Sequence, residues 1–124
     1  MNPSQPESCA APCLPKPSLE ERPLLNPEQA LGLVALFKVL GSDTRLRLLH
    51  AIVRQGEIGV MELAEALAMK PQAVSNQLQR LLDRGILGSR RAGINIYYRI
   101  SDPCVISLLD HGLCLSEDAK ARMT

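Results

Sequence analysis

The sequence has few aromatic residues and no long apolar run. Its 124 residues contain two Tyr, one Phe and no Trp, so the core must be built from Leu, Ile, Val and Ala, which suits packed helices. No run approaches the roughly 18 apolar residues that a membrane-spanning helix needs. The Pro-rich N-terminus has no apolar segment typical of a secretory signal. We therefore expect one cytoplasmic domain with no membrane partner.

Catalytic signatures are also missing from the sequence. There is no phosphate-binding loop, no Cys-x-x-Cys pair and no Ser/His/Asp arrangement, so we expect neither an enzyme nor a small organic substrate. The four cysteines are expected to be reduced thiols or metal ligands, because disulfide frameworks are rare in the cytoplasm.

The net charge of +1 conceals a concentration of positive charge in one segment. Residues 70–99 carry six basic side chains against the single acid Asp83, whereas residues 31–69 are balanced and both ends of the chain are acidic. A basic segment of this kind is what contact with DNA phosphates requires. A solvated helix face is the alternative explanation of the charge alone.

Start and stop signals divide the chain into five helices and a β-hairpin, which makes the fold mainly α. Asn26-Pro27-Glu28 is an N-cap, a first-turn proline and a first-turn acid, and glycines end the first, second and fourth helices. The predicted helices lie at about 27–40, from Ser42 or Asp43 to Gly56, at about 60–68, from Pro71 to Gly85, and from Asp102-Pro103 onward. The predicted hairpin has one strand that begins at Ile86-Leu87, a turn near Ala92-Gly93 and a second strand at 94–100.

The domain boundaries follow from these signals. Residues 1–25 hold six of the nine prolines and are predicted to be a flexible arm. Residues 26–118 form the folded domain, and residues 119–124 are expected to fray. The apolar side chains expected inside on the second, third and fourth helices are Leu46, Leu49, Ile52, Val53, Val60, Leu63, Ala64, Leu67, Val74, Leu78, Leu81 and Leu82.

Helix, corner, helix and basic hairpin is the arrangement of a winged helix-turn-helix, whose second helix enters the DNA major groove. Gln and Asn can bond bidentately to adenine, and Arg suits phosphates. Polar residues on an exposed helix face are routine, so the prediction depends on their combination with the hairpin and the charge. The predicted DNA contacts are Lys70, Gln72, Ser75, Asn76, Gln79, Arg80, Arg90, Arg91 and Asn95.

This order of elements resembles the ArsR/SmtB family of metal-responsive repressors. The likeness is carried by LGSDTRLRLLHAI, by ELAEALAMKPQAVSNQLQRLLDRGIL and by the strand from Gly93 to Tyr98, and it covers about residues 27–118. The resemblance implies a winged-helix homodimer, joined through its first and last helices, that leaves double-stranded operator DNA when metal binds. The chain departs from the family pattern at Lys70, where Ser or Thr is usual, and at Gln77, where His is usual.

The resemblance also directs attention to the metal sites of the family. Its Cys-x-Cys site is absent, because Gly59-Val60-Met61 stands there. Its Asp-x-His pair becomes Asp102-Pro103-Cys104, and the two later ligand positions are Leu115 and Asp118, with Cys114 just before them. The set of zinc ligands found in the family is therefore incomplete in this chain, and Cys104 and Cys114 stand at or beside its positions. The segment DPCVISLLDHGLCL looks like that of the mercury-resistance repressors of actinomycetes in this family.

Cys104 and Cys114 cannot share one ion within a chain. Ten residues of helix rise about 15 Å, whereas two thiolates on one metal lie within roughly 4.6 Å of each other. Two antiparallel fifth helices crossing at a dimer axis near Leu109 would bring Cys104 to Cys114 of the other chain, twice per dimer. The predicted ligands are Cys104 and Cys114, with Asp102, His111 and Asp118 as possible additions.

The predicted ion is thiophilic, because thiolates select soft ions. Cys104 lies in the first turn of its helix, where the dipole favours the thiolate. Two thiols suit Hg(II) best, while Cd, Pb, Zn and As(III) stay open. Cys9 and Cys13 are a possible accessory pair. Two alternatives remain for the cysteines: an inert core role, and a thiol-redox switch through a disulfide or persulfide.

Overall fold

The computed structural model describes residues 16–123, which form two compact units, 16–101 and 102–123. Cys9 and Cys13 lie outside the described residues. The elements, in chain order, are a 3-10 turn Leu19–Glu21, α1 Pro27–Leu40, α2 Asp43–Gln55, β1 Ile58–Gly59, α3 Val60–Leu67, α4 Pro71–Asp83, β2 Leu87–Ala92, β3 Asn95–Ile100 and α5 Pro103–Met123. The five predicted helices and the hairpin are confirmed.

The first two helices begin at side-chain caps. Asn26 accepts a hydrogen bond from the Gln29 backbone N–H (2.7 Å), and the Gln29 side chain accepts one from the Asn26 N–H (3.0 Å). This reciprocal pair satisfies two N–H groups that the start of a helix leaves without partners. Ser42, rather than Asp43, caps α2, since its hydroxyl accepts from the Arg45 N–H at 3.3 Å.

The end of α4 confirms the predicted role of Gly85. This glycine has a φ of 75°, and its N–H donates to the carbonyl of Leu82, while the Ile86 N–H donates to the carbonyl of Leu81. The two bonds form a Schellman motif, which requires a left-handed residue and therefore favours glycine. The chain is thereby turned from α4 into β2.

The sheet has three strands in the order β1-β3-β2, not the predicted two. β3 pairs antiparallel with β2 over the whole hairpin and with β1 through Ile58 opposite Tyr98. A two-residue strand has no alternation that a sequence can reveal, and its partner lies about 40 residues away. The turn is Gly93-Ile94, so β3 begins at Asn95 and Ile94 is exposed.

The core of the larger unit lies among α2, α3 and α4. Its fully buried side chains are Leu48, Leu49, Ile52, Leu63, Val74, Leu78 and Leu81. The predicted stripe of α2 was wrong at one position, because Leu46 is 38% exposed and Leu48 is buried in its place. Apolar residues occupy five of the seven positions in LRLLHAI, so helical spacing alone could not select the right stripe. Of the five remaining predicted positions, Ala64 is buried, and Val53, Val60, Leu67 and Leu82 are half-buried.

Two predicted boundaries differ from the structure. α5 continues to Met123, so residues 119–123, assigned to a frayed tail, are helical. Lys120 and Arg122 in its last turn complement the negative end of the helix dipole. The 3-10 turn Leu19–Glu21 falls within the predicted flexible arm, and the Ser18 N–H donates to the Glu21 carboxylate there (3.2 Å). Within residues 16–123, no helix has the length and apolar character needed to cross a membrane.

The corner between α3 and α4 depends on a strained alanine. Ala68 has φ 54° and ψ 47°, a left-handed conformation that costs a residue with a Cβ about 1 kcal/mol or more. Its N–H closes α3 by donating to the carbonyls of Ala64 and Glu65. Lys70 then starts α4 without a side-chain cap, as its poor capping ability predicts.

Replacing Ala68 with Gly is expected to relieve this strain. We predict that Ala68→Gly is at least as stable as the wild type, and that Ala66→Gly, the same change inside α3, loses up to about 1 kcal/mol. Because both variants change the unfolded chain in the same way, the difference between them reports the native conformation of residue 68. Urea denaturation at one protein concentration measures it, and equal destabilisation of the two variants would contradict the assignment.

Candidate nucleic-acid interface and metal-binding helix

One face of α4 is buried and the other carries amide side chains. Gln72, Asn76 and Gln79 are exposed, whereas Ser75 is half-buried. The Gln72 amide donates to Asn76 (3.2 Å), and the Gln79 amide donates to Asp83 (2.8 Å). These contacts one helical turn apart limit the rotamers of the amides. The face therefore presents ordered donors and acceptors of the kind that read base edges.

The first turn of α4 favours an anion. Lys70 at the N-cap is exposed and gives no side-chain cap, and the turn contains no acidic residue. Backbone N–H groups at the start of a helix attract phosphates when no carboxylate occupies them. Lys70 and the end of α4 that carries Gln72 are thus suited to a DNA phosphate next to the bases.

The wing formed by β2 and β3 separates two neighbouring arginines. Arg90 pairs with Tyr97 across the hairpin and Arg91 with Ile96, so alternation places them on opposite faces. Arg91 is exposed and makes no ion pair with another described residue, and Asn95 lies exposed at the tip. Of the two arginines, Arg91 is therefore the one available to a phosphate.

Arg90 is held by a contact that the sequence did not reveal. Its guanidinium binds both oxygens of the Glu57 carboxylate at 2.9 Å and lies 5.0 Å from the centre of the Tyr97 ring. The hydrogen bond from Arg90 lowers the pKa of Glu57, and the same bond raises the pKa of Arg90. Glu57 stands 33 residues before Arg90, and no local pattern connects them.

Gln77, where the chain departs from the family pattern, connects α4 to α2. Its side-chain oxygen accepts from the Arg45 guanidinium (2.9 Å), and the Nε of Arg45 donates to the Val39 carbonyl at 2.6 Å. A single half-buried arginine thus joins the end of α1, the start of α2 and the middle of α4. Gln77 is thus part of the packing between α4 and α2.

Both described cysteines are exposed on the uninterrupted helix α5. Cys114 lies 3.8 Å from the Asp118 carboxylate. Asp102 accepts from the backbone N–H of Cys104 at 2.9 Å, so one of its oxygens stabilises the start of the helix. The Nδ1 of His111 is 2.9 Å from the Ser107 carbonyl, which leaves its Nε2 for another partner.

The five predicted ligands do not come together within one chain. Among residues 16–123, no group of three or more His, Cys, Asp or Glu side chains is arranged to hold a metal. The ten-residue interval between the two thiols remains about 15 Å of helix rise. A site that uses both thiols needs a second copy of the chain.

Comparison with known sequences supports the same architecture. A sequence model of the MarR family matches residues 42–93. A transcriptional repressor SmtB homolog of Synechocystis sp. is 36% identical over 68% of this chain and 64% of its own length, so the chain spans just under two thirds of that protein. The HTH-type transcriptional regulator NmtR of Mycobacterium tuberculosis is 36% identical over 75% of this chain and 77% of its own length.

Two solved structures resemble the chain closely. The antimony-specific transcriptional repressor AntR is 59% identical with a TM-score of 0.74, covering 88% of this chain and 98% of AntR. A homodimeric winged helix-turn-helix DNA-binding domain from Mycobacterium bovis is 28% identical with a TM-score of 0.67, covering 78% and 91%. These relatives are regulators or DNA-binding domains, which confirms the expectation that the chain is not an enzyme.

Replacing Arg90 with Ala is expected to raise the pKa of Glu57 toward its ordinary value of about 4.5, because the hydrogen bond from Arg90 is the main cause of its lowering. Arg91→Ala is the matched control, since Arg91 faces the other side of the hairpin. NMR titration of the glutamate carboxyl carbons measures both.

The same ion pair has a defined pH dependence. Because the folded-state pKa of Glu57 is lowered, its stabilisation is complete above about pH 4.5 and is lost as the pH falls through the folded-state pKa. A Glu57 titration that Arg90→Ala leaves unchanged would contradict the pairing.

Proposed function

The chain belongs to the ArsR/SmtB family of winged-helix transcriptional repressors, and from this premise we propose a homodimer that binds operator DNA and leaves it when a thiophilic ion binds. The observation that carries the proposal is the continuous helix α5 with Cys104 and Cys114 exposed ten residues apart. That spacing excludes one chain from using both thiols and suits two antiparallel copies.

The DNA-binding part of the proposal is supported by α4 and the wing. Val74, Leu78 and Leu81 are fully buried, so the opposite face of α4 is directed outward. This face would read bases in the major groove, while Lys70 and Arg91 would contact phosphates on either side. Arg90 is a weaker candidate, because its charge is largely compensated by Glu57.

The dimer is supported by apolar surface in each unit. On α1, Leu31, Val34 and Phe37 are exposed, the last by 50%. On α5, Leu113 and Leu115 are each about three-fifths exposed. Rows of exposed apolar side chains on helices usually mark a surface that a partner covers. Both helices are those through which the family resemblance implies dimerisation.

The thiols fit a soft ion, because thiolate ligands select such ions over magnesium or calcium. Cys104 of one copy and Cys114 of the other would hold the ion, and His111 or Asp118 would complete the site. A two-thiol site suits Hg(II), which the sequence favours. The 59% identity to an antimony-specific repressor favours Sb(III), and we place it first. A trivalent metalloid takes a third thiolate, for which the sequence offers Cys9 and Cys13.

Release of DNA requires that the ion bind better to the DNA-free form of the dimer. Linking the two α5 helices would change the separation of the two α4 helices, which must match successive major grooves about 34 Å apart. A thiol-redox repressor of the same fold is the second candidate, because the cysteines that would hold the ion could also form a disulfide between chains.

Arg91→Ala is expected to weaken operator binding and to reduce the slope of log K against log salt by about 1, as the loss of one phosphate contact requires. Arg122→Ala removes the same charge from the end of α5 and is the matched control. Fluorescence anisotropy on the upstream promoter DNA, at several salt concentrations, compares them. Equal slopes in the two variants would exclude Arg91 from the DNA contact.

The cysteine site can be tested by mixing two inactive variants. Cys104→Ser and Cys114→Ser homodimers should both keep operator DNA when Sb(III), As(III), Hg(II), Cd(II) or Zn(II) is added under reducing conditions. A mixed dimer of the two variants retains one complete pair, Cys104 of one chain and Cys114 of the other. We expect it to bind one ion and to regain release by the ion that acts on the wild type.

The mixed dimer separates the alternatives. If both thiols were needed from the same chain, mixing would restore nothing. If release occurred only on oxidation and not with any ion, the thiol-redox repressor would replace the metal-responsive one. Release of DNA by Hg(II) but not by Sb(III) would identify Hg(II), the ion predicted from the sequence, as the inducer.

A further inference from the structure

A basic cleft lies in the larger unit, at the end of α4 opposite to Lys70. It has a volume of about 320 Å³ and is bordered by the end of α1, the start of α2 and the last turn of α4. Its lining residues are Lys38, Val39, Arg45, Arg80, Asp83 and Arg84. Four cations and one acid thus surround a single concave space.

The positive charge in this cleft is poorly compensated. Within residues 16–123 the ion pair between Arg90 and Glu57 is the only one, so Lys38, Arg80 and Arg84 have no acidic partner there. Asp83, the one acid of the cleft, accepts a hydrogen bond from Gln79. A cleft lined by charge of one sign concentrates counter-ions of the other sign.

Arg45 is the ordered member of this group. Its Nε and one terminal nitrogen are occupied by the Val39 carbonyl and Gln77, and the guanidinium has three further N–H groups. Because its position is set before any ligand arrives, less side-chain entropy is lost on binding. Arginine forks match the paired oxygens of phosphate groups particularly well.

The cleft lies at the opposite end of α4 from Gln72, although Gln79 of the amide-bearing face donates to its acid Asp83. Arg84 follows Gln72 by twelve positions, about 18 Å along the helix, and recognition helices contact bases with their N-terminal residues. The cleft would therefore recognise a ligand by its charge and would not contact the edge of a base.

We propose that this cleft is a binding site for a phosphate group, held by Arg45, Arg84 and Lys38. The phosphate can come from a small phosphorylated anion in solution or from the backbone of bound DNA; the chemistry of recognition is the same. The proposal does not depend on the response to metals and would stand if α5 bound no ion.

The test compares inorganic phosphate with chloride at equal ionic strength, using the full chain without DNA and thermal unfolding as readout. A ligand that binds only the folded state raises the melting temperature with concentration. Phosphate also stabilises proteins non-specifically, so the informative quantity is the difference between variants. The double variant Lys38→Gln and Arg84→Gln should lose most of the shift. Arg54→Gln, in a different surface cleft, should retain it.

Operator binding by the same variants identifies the source of the phosphate. If free phosphate stabilises the wild type but not the double variant, the site accepts a small anion. If free phosphate has no selective effect but the double variant lowers the salt slope of DNA binding by one to two, the backbone of DNA supplies the group. If the double variant matches Arg54→Gln in both measurements, the proposal is overturned.

Discussion

The function of the larger unit depends on the burial of one face of α4. Val74, Leu78 and Leu81 have no exposed surface, and each fully buried side chain of this size contributes roughly 1.5–3 kcal/mol. This seam against α2 and α3 fixes the rotation of α4, so the amides on its other face must point outward. Arg45 adds a directional contact through Gln77. The amide side chains that would contact DNA bases are thus positioned by buried side chains on the opposite face of the same helix.

Local signals in the sequence predicted the parts of the fold that local physics decides. Asn26 and Gly85 act through hydrogen bonds to neighbours a few residues away, and both were identified correctly. Among the features that the sequence did not reveal are the β1 strand, the rotation of α2 that buries Leu48, and the pairing of Glu57 with Arg90. The β1 pairing and the Glu57–Arg90 pair each join residues more than 30 positions apart. Burial of Leu48 in place of Leu46 is decided by packing against the other helices, and the spacing of the leucines does not reveal it.

The candidate metal site shows a different limit of sequence reasoning. The sequence alone predicted that Cys104 and Cys114 lie ten residues apart on one helix, and the structure confirms that a single helix carries both. Since the rise of that helix keeps the two thiols about 15 Å apart, Cys104 and Cys114 of the same chain cannot share one ion. In the proposed site a second chain supplies the missing thiol, and its placement relative to the first chain is not written in the sequence of one helix.

The basic side chains of residues 70–99 do not all lie where they could contact the same ligand. Of the six basic residues, Arg90 forms an ion pair with Glu57, and Arg80 and Arg84 line the cleft at the far end of α4. A count of charges therefore overstates the number of contacts with DNA phosphates, for which Lys70 and Arg91 are the clearest candidates. Because each phosphate contact contributes about one unit to the salt dependence of binding, the slope measured with DNA should follow the disposition of these side chains more closely than it follows the net charge of the segment.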